Sequence, residues 1–175
     1  MTSTVLPDIP AGDPASLTHY IEARFHSSHR SQFSELLGLA QKVERVHGNE
    51  PNVPAGLATL FEDMSRELEA HMRKEESVLF PAMRQGNMTG LQHPIAVMRA
   101  DHASHDRDVS AIRELTNNLC PPQGACRSWT TLYEGLGQFI SDLEQHMQLE
   151  NEVLFPLFER PHQQDGCGCS CQGHD

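Results

Sequence analysis

Two segments of this 175-residue chain each carry a histidine followed four residues later by a glutamate, and they nearly repeat one another. Residues 71–81 read HMRKEESVLFP, and residues 146–156 read HMQLENEVLFP. Residues four apart lie on one face of an α-helix. The repeat therefore predicts two helices that each present an imidazole beside a carboxylate. The two pairs are His71–Glu75 and His146–Glu150.

A second repeat, offset by 76 residues, relates His26 to His102 and His29 to His105. All of these histidines fall on lines of apolar residues spaced alternately three and four apart, the pattern of a helix face that packs into a core. The two helices with His–Glu pairs continue this pattern beyond the glutamates. Their predicted buried faces are Leu57, Phe61, Met64, Leu68, His71, Glu75, Val78 and Ala82 on one, and Leu132, Leu136, Phe139, Leu143, His146, Glu150, Val153 and Leu157 on the other.

A metal site explains this set of residues better than ordinary core packing does. One histidine on a buried face is usually a hydrogen-bonded core residue, but here four histidines and two glutamates face one interior. An uncompensated buried carboxylate costs on the order of several kcal/mol, and no lysine or arginine lies on these faces to pair with it. A cation would offset that cost. The predicted ligands are His26, His71, Glu75, His102, His146 and Glu150.

The donor types narrow the choice of metal. Imidazole with carboxylate, and no thiolate, suits iron, manganese or zinc rather than Cu(I). If Glu75 and Glu150 both bridge, each of two ions receives two histidine nitrogens and two carboxylate oxygens. An oxo or hydroxo bridge would add a fifth ligand and leave an open position for a diatomic gas. Ferritin-like sites use Glu-x-x-His instead, so the spacing favours a histidine-rich di-iron site.

Helix signals place these residues in a bundle. Asp13-Pro14 reads as an N-cap followed by proline at the first helical position, and no stretch alternates with the period of a β-strand. We expect an all-α, antiparallel up-down-up-down four-helix bundle built from two pseudo-repeated helical hairpins. It would occupy residues 13–159, between an irregular segment 1–12 and a cysteine-rich tail 160–175. The predicted helices span 13–47, 54–85, 93–119 and 127–159.

Composition excludes several classes of function. The chain has 13 Lys+Arg against 24 Asp+Glu and a net charge of −11, which argues against nucleic acid or an anionic membrane as a partner. No apolar run is long enough to span a membrane. The N-terminal residues do not resemble a secretory signal, and the five cysteines are odd in number. These features predict a cytoplasmic protein without a disulfide framework.

Other histidines and cysteines leave alternatives open. His29 and His105 are expected to pair or to support the ligands rather than to bind metal directly. His47 lies about 30 Å along the first helix from His26, so we interpret it as a structural or helix-dipole histidine, and Cys126 as a buried residue. The tail cysteines form either a soft metal site or a set of solvated, oxidisable thiols. They are Cys167, Cys169 and Cys171.

The chain resembles the hemerythrin-like domain of the di-iron repair-of-iron-centres family, which responds to nitric oxide and oxidative stress. The resemblance runs from Ile21 to Phe158. It implies two iron ions, with the four histidines named above as ligands and the two glutamates as bridges. Family members often begin with a small cysteine-bearing domain, for which residues 1–12 leave no room. The matching segments are Phe25-His26, Lys42 to Gly48, His71 to Pro81, Met98 to His102, Ile112 to Thr116, Ala125-Cys126 with Trp129, and His146 to Pro156.

The resemblance implies a non-haem di-iron protein that binds nitric oxide. Such a protein would reduce it, or supply iron for repair of damaged iron–sulfur clusters, with iron–sulfur proteins as partners. A dioxygen carrier or sensor without turnover is the first alternative. The His-x-x-His spacings at His26 and His102 disfavour this carrier. A resemblance to classical hemerythrins would imply a site with five histidines, two of them in a His-x-x-x-His pair on one helix. A metallochaperone that uses the cysteine tail is the second alternative.

Overall fold

A computed structural model describes residues 12–86 and 89–159, so most of segment 1–12 and the whole predicted tail lie outside the described residues. The described residues form four long helices and no β-strand. Three of these helices each contain a short π-helical turn, in which backbone hydrogen bonds span five residues. The bounds are Pro14–Ile21, Glu22–His26 (π) and Ser27–His47 for α1; Leu57–Lys74, Glu75–Leu79 (π) and Phe80–Arg84 for α2; Gln92–Leu115 for α3; and Arg127–Leu149, Glu150–Leu154 (π) and Pro156–Glu159 for α4.

The helices form the predicted antiparallel four-helix bundle. Helix α1 packs against α2 and α4, and α3 packs against α2. The Asp13 carboxylate accepts hydrogen bonds from the N–H groups of Ala15 and Ser16 at the start of α1, as expected for an N-cap. No helix among the described residues combines the length and the hydropathy needed to cross a membrane.

A polar layer divides the core into two apolar clusters. In α1 and α3 the chain passes from the second cluster to the first, and in α2 and α4 it passes from the first to the second. Buried histidines lie between the clusters on every helix, and α2 and α4 each add a buried glutamate. The first cluster includes Leu36, Val43, Phe61, Leu68, Ile112, Trp129, Phe139 and Leu143, and the second includes Leu17, Ile21, Phe25, Phe80, Ile95, Met98, Phe155 and Phe158.

Beyond the glutamates the most buried positions of α2 and α4 lie one residue later than predicted, and of the predicted positions Ala82, Val153 and Leu157 are partly buried against the second cluster. Val78 is 64% exposed, whereas Leu79 is 2% exposed. In α4, Val153 is half-buried and Leu154 is fully buried. A π turn adds one residue to the helical repeat, so the core-facing positions move one residue along the chain after each glutamate.

Proline accounts for the π turns of α2 and α4, whereas α1 forms its π turn without a proline, with the N–H of Ser27 donating to the Glu22 carbonyl. Pro81 and Pro156 have no backbone N–H, and a proline ring clashes with the carbonyl four residues earlier in a regular α-helix. In both helices the preceding phenylalanine instead donates its N–H to the glutamate carbonyl five residues back. Phe155 N–H lies 2.8 Å from the Glu150 carbonyl oxygen, and Phe80 N–H donates to that of Glu75. π turns often occur at functional sites.

Two helix ends also differ from prediction. Helix α2 begins at Leu57 rather than at residue 54, because Gly56 adopts a left-handed conformation (φ 88°) that interrupts the helix. Helix α3 ends at Leu115 rather than at Leu119, since three successive residues have positive φ angles of 49°, 56° and 59°. The first two of these are asparagines, which tolerate this conformation. The three residues are Asn117, Asn118 and Leu119.

Candidate metal centre

The bundle brings all six predicted ligand side chains together in the polar layer. They form two groups of four, in each of which one potential ligand atom per residue lies within 4.8 Å of all the others. Both groups contain both glutamates, while each histidine belongs to one group. The groups are His26, Glu75, His146 and Glu150, and His71, Glu75, His102 and Glu150.

Each glutamate faces one histidine from each group. One oxygen of Glu75 lies 3.3 Å from Nε2 of His26, and the other lies 3.2 Å from Nε2 of His71. Glu150 repeats this arrangement, at 3.0 Å from Nε2 of His102 and 3.2 Å from Nε2 of His146. A carboxylate that divides its two oxygens between two sets of donors has the geometry of a bridging ligand.

The inward-facing atoms lack partners that would explain their burial. None of the six side chains is more than 3% exposed. Seven of their buried atoms find no hydrogen-bond partner among the described residues, although polar groups in protein cores are normally paired. Imidazole and carboxylate donors in this arrangement fit a di-iron site. The seven atoms are Nε2 of His26, His71 and His102, both oxygens of Glu75, one oxygen of Glu150, and Nδ1 of His146.

The pKa values of the two glutamates also indicate that the site is suited to a bound cation. Burial and the neighbouring Glu150 carboxylate raise the pKa of Glu75 to about 8. Burial also acts to raise the pKa of Glu150, but His146 and His102 hold it well below its usual range. Without a cation, the site therefore relieves its charge by keeping a proton on Glu75. A bound cation would remove the need for that proton.

Polar partners orient three of the four histidine rings from behind. Nδ1 of His26 lies 2.8 Å from a carboxylate oxygen of Glu76, Nδ1 of His71 lies 3.3 Å from Asp101, and Nδ1 of His102 lies 3.0 Å from Asn151. Such contacts fix the ring orientation and leave Nε2 facing the site. Nδ1 of His146 has no hydrogen-bond partner among the described residues.

An arginine anchors one of these partners. Nη1 of Arg30 donates to Glu76 at 2.8 Å, and Nε of the same side chain donates to Glu69, also at 2.8 Å. These supporting residues were not predicted from the sequence. The only sequence signal was position, because Glu76 follows Glu75 and Asn151 follows Glu150.

Phenylalanine rings close the site towards the second apolar cluster. Phe80 stacks on His26 with ring centroids 5.8 Å apart, and Phe155 stacks on His102 at 5.9 Å. Phe25 stacks on His146 at 5.4 Å. These apolar walls exclude water and lower the local dielectric, which strengthens electrostatic interactions inside the site.

His29 and His105 lie one turn away from the six residues and belong to neither group of four. Both are buried, and their ring nitrogens make no hydrogen bond with suitable geometry among the described residues. Burial, followed by the nearby His146, lowers the pKa of His29 to about 2. Burial, followed by His71, lowers that of His105 to about 3. Both rings are therefore neutral at physiological pH.

His47 lies outside the cluster, as its sequence position predicts. It ends the main segment of α1, and its ring packs on Trp129 with centroids 4.9 Å apart. Cys126 is half-buried rather than buried, and it contacts His47 rather than the polar layer.

The four-helix bundle and its buried histidine–glutamate layer define a protein built to hold a pair of metal ions. The chain belongs to the hemerythrin family, since residues 19–158 match the hemerythrin HHE cation binding domain. It is 46% identical over 142 residues to the iron-sulfur cluster repair protein YtfE of Pectobacterium atrosepticum. It is 44% identical over 141 residues to the protein of the same name from Yersinia pseudotuberculosis serotype O:1b. Each match covers 81% of this chain, which spans 64% of the relative's length.

Proposed function

We propose that the chain binds two iron ions in the polar layer, one through His26 and His146 and the other through His71 and His102. Glu75 and Glu150 would be shared by both ions. The observation that carries this proposal is the division of each carboxylate between the two groups of histidines. The unpartnered inward-facing atoms support it, because a cation would satisfy all of them.

The protein residues prepare this site for small ligands. Glu76, Asp101 and Asn151 hold three imidazole rings in place, so that the metal-binding nitrogens are oriented before iron arrives. The surrounding phenylalanine rings exclude water. Iron, when bound, supplies the affinity for diatomic gases and the one-electron chemistry.

The function that we propose is a response to nitrosative and oxidative stress. The di-iron unit, residues 13–159, binds nitric oxide and supplies iron for repair of damaged iron–sulfur clusters in the cytoplasm. The names of two curated relatives, which describe iron-sulfur cluster repair proteins, support the repair part of this proposal. The net charge of −11 disfavours nucleic acid and anionic membranes as partners and is compatible with a protein partner.

Metal analysis of anaerobically purified protein tests the site. We expect about two irons per chain and, after reduction, a new electron paramagnetic resonance signal when nitric oxide is added. The matched variant is Glu75→Gln, which keeps the volume of the side chain but removes one shared carboxylate. Zinc alone, or iron whose spectra do not respond to nitric oxide, would overturn the proposal.

Iron transfer tests the repair function separately. The iron-loaded protein is incubated anaerobically with an enzyme whose [4Fe–4S] cluster has been damaged by nitric oxide, and recovery of that enzyme's activity is followed. We expect recovery with the wild-type chain and little recovery with iron-depleted Glu75→Gln. Equal recovery with free ferrous iron at the same concentration would contradict a repair role. A reversible dioxygen spectrum without any iron transfer would instead favour a carrier.

A further inference from the structure

A cysteine, a histidine and a glutamate form a hydrogen-bonded chain at the end of the bundle remote from the metal centre. Nε2 of His47 lies 3.2 Å from Sγ of Cys126, and Nδ1 of the same ring lies 2.6 Å from a carboxylate oxygen of Glu50. The ring is about 30 Å along α1 from His26. None of these three residues has a role in the proposed di-iron site.

The imidazole lies between its two partners. Its ring packs at a tilt of 47° against the fully buried Trp129, and its side chain is only 13% exposed. The hydrogen bond to Glu50, followed by that to Cys126, raises the pKa of His47. Glu50 is therefore the carboxylate of a Cys–His–carboxylate arrangement. It orients the imidazole ring and favours the protonated form of that ring.

The position of Cys126 at the start of α4 also stabilises a thiolate. It is the N-cap residue, with extended backbone angles, and Arg127 begins the helix. The N–H group of Trp129 lowers the pKa of the Cys126 thiol, with further contributions from His47 and the N–H of Ser128. Thiolates are the nucleophilic form of cysteine, and helix N-termini and protonated histidines are the environments that favour them.

We propose that Cys126 is a reactive thiolate that hydroperoxides oxidise to a sulfenic acid, with His47 as the proton donor and Glu50 as a positioning residue. The thiolate sulfur attacks one peroxide oxygen, an S–O bond forms and the O–O bond breaks. With hydrogen peroxide the departing hydroxide takes the proton of the His47 imidazolium and leaves as water; with an organic hydroperoxide the departing alkoxide takes that proton and leaves as an alcohol. Sulfur is oxidised by two electrons and the peroxide is reduced, so the chain gains a modification site that does not use the metal centre.

Alkylation of the full-length chain by iodoacetamide, read at each cysteine by mass spectrometry, tests the thiolate. Cys120 is exposed and serves as the comparison within the same molecule. We expect Cys126 to react faster than Cys120 at pH 6.5 despite its lower exposure. In His47→Gln the rate at Cys126 should fall about tenfold, because loss of the imidazole raises the pKa of the thiol and leaves less of the thiolate that reacts. His19→Gln is the matched control, since His19 also precedes a glutamate by three residues but contacts no thiol.

Glu50→Gln also tests whether the hydrogen-bonded chain stabilises the Cys126 thiolate, and it leaves the packing of His47 on Trp129 in place. It should slow alkylation of Cys126 and shift its pH midpoint upward, while the fluorescence of the single tryptophan and the metal content stay unchanged. Equal rates at Cys120 and Cys126, or wild-type rates at Cys126 in both variants, would overturn the proposal.

Hydrogen peroxide tests the oxidation directly. Dimedone, which traps sulfenic acids, should label Cys126 in the wild-type chain, and labelling should fall about tenfold in His47→Gln. Cys126→Ser confirms the assignment of the labelled peptide. Dimedone adducts at Cys120 but not at Cys126 would refute the proposal.

Discussion

Glu75 and Glu150 lie face to face in the core, with a carboxylate oxygen of each within 4.8 Å of the other and neither side chain exposed to solvent. Two negative charges this close together and shielded from water repel one another, so the ionised pair is unfavourable without a compensating charge. Four histidine nitrogens surround them, and no lysine or arginine hydrogen-bonds to either carboxylate among the described residues. The pair is therefore a structural cost that only a bound cation or a retained proton relieves.

Removal of one carboxylate should empty the site. We expect Glu75→Gln and Glu150→Gln each to reduce the iron content from about two to below one per chain, because each glutamate contacts the histidines of both groups. Inductively coupled plasma mass spectrometry measures this content. Glu62→Gln, an exposed position on α2, is the control that should keep its iron. Full iron content in both core variants would show that the carboxylates do not bridge.

Glu76, which contacts His26 on the side away from the site, should affect the iron affinity even though it does not bind metal itself. Glu76→Gln weakens the contact to Nδ1 of that ring and the ion pair with Arg30. We expect iron affinity to fall about 10–100-fold, measured by competition with a chromogenic ferrous chelator. Arg30→Met should have a smaller effect in the same direction. An unchanged affinity in Glu76→Gln would mean that packing alone orients the histidine.

The metal-free protein should be sensitive to acid because of its buried neutral histidines. The pKa of His29 is about 2 in the folded protein and 6.5 in the reference state, so the unfolded chain takes up the proton first as the pH falls. Stability is therefore lost below about pH 6.5. Each further pH unit should cost the wild type about 1.4 kcal/mol more than His29→Leu. Urea unfolding between pH 4.5 and 7 measures this difference, and parallel stability curves for the two proteins would refute it.

The shift in register after Glu75 can be tested by two neighbouring truncations. Leu79→Ala should destabilise the fold by about 2–5 kcal/mol, because it leaves a cavity in the core. Val78→Ala should change stability by less than about 0.5 kcal/mol, since Val78 projects into solvent. Thermal unfolding followed by circular dichroism compares the two. A larger loss of stability in Val78→Ala than in Leu79→Ala would show that the helix keeps the regular register predicted from the sequence.

The helical spacing was sufficient to find the six candidate ligands and the bundle that carries them. The relation between His71 and Glu75 is local, because residues four apart on a helix are neighbours in any fold that forms the helix. The same is true of His146 and Glu150. The internal repeat then predicted that these pairs would lie at one depth, and the structure places them there.

Val78 was predicted to be buried but is exposed, because a regular helical period no longer predicts burial beyond a π turn. The π turn depends on how Pro81 displaces one hydrogen bond, and a periodic pattern assumes that every hydrogen bond is regular. A single added residue rotates all later side chains, so Leu79 rather than Val78 faces the core. The sequence contained the proline, but not the way in which the chain accommodates it.

The amino-acid sequence alone determined which residue types face the interior and which pairs share a helix face, because these follow from local backbone geometry. Only the tertiary structure decided which histidine meets which oxygen of Glu75, which side chain supports His26 from behind, and that His47 meets Cys126. Apart from the local pair His71–Glu75, these contacts join residues on different helices. They depend on the rotation and depth of each helix in the bundle, which are set by the packing of the two apolar clusters as a whole.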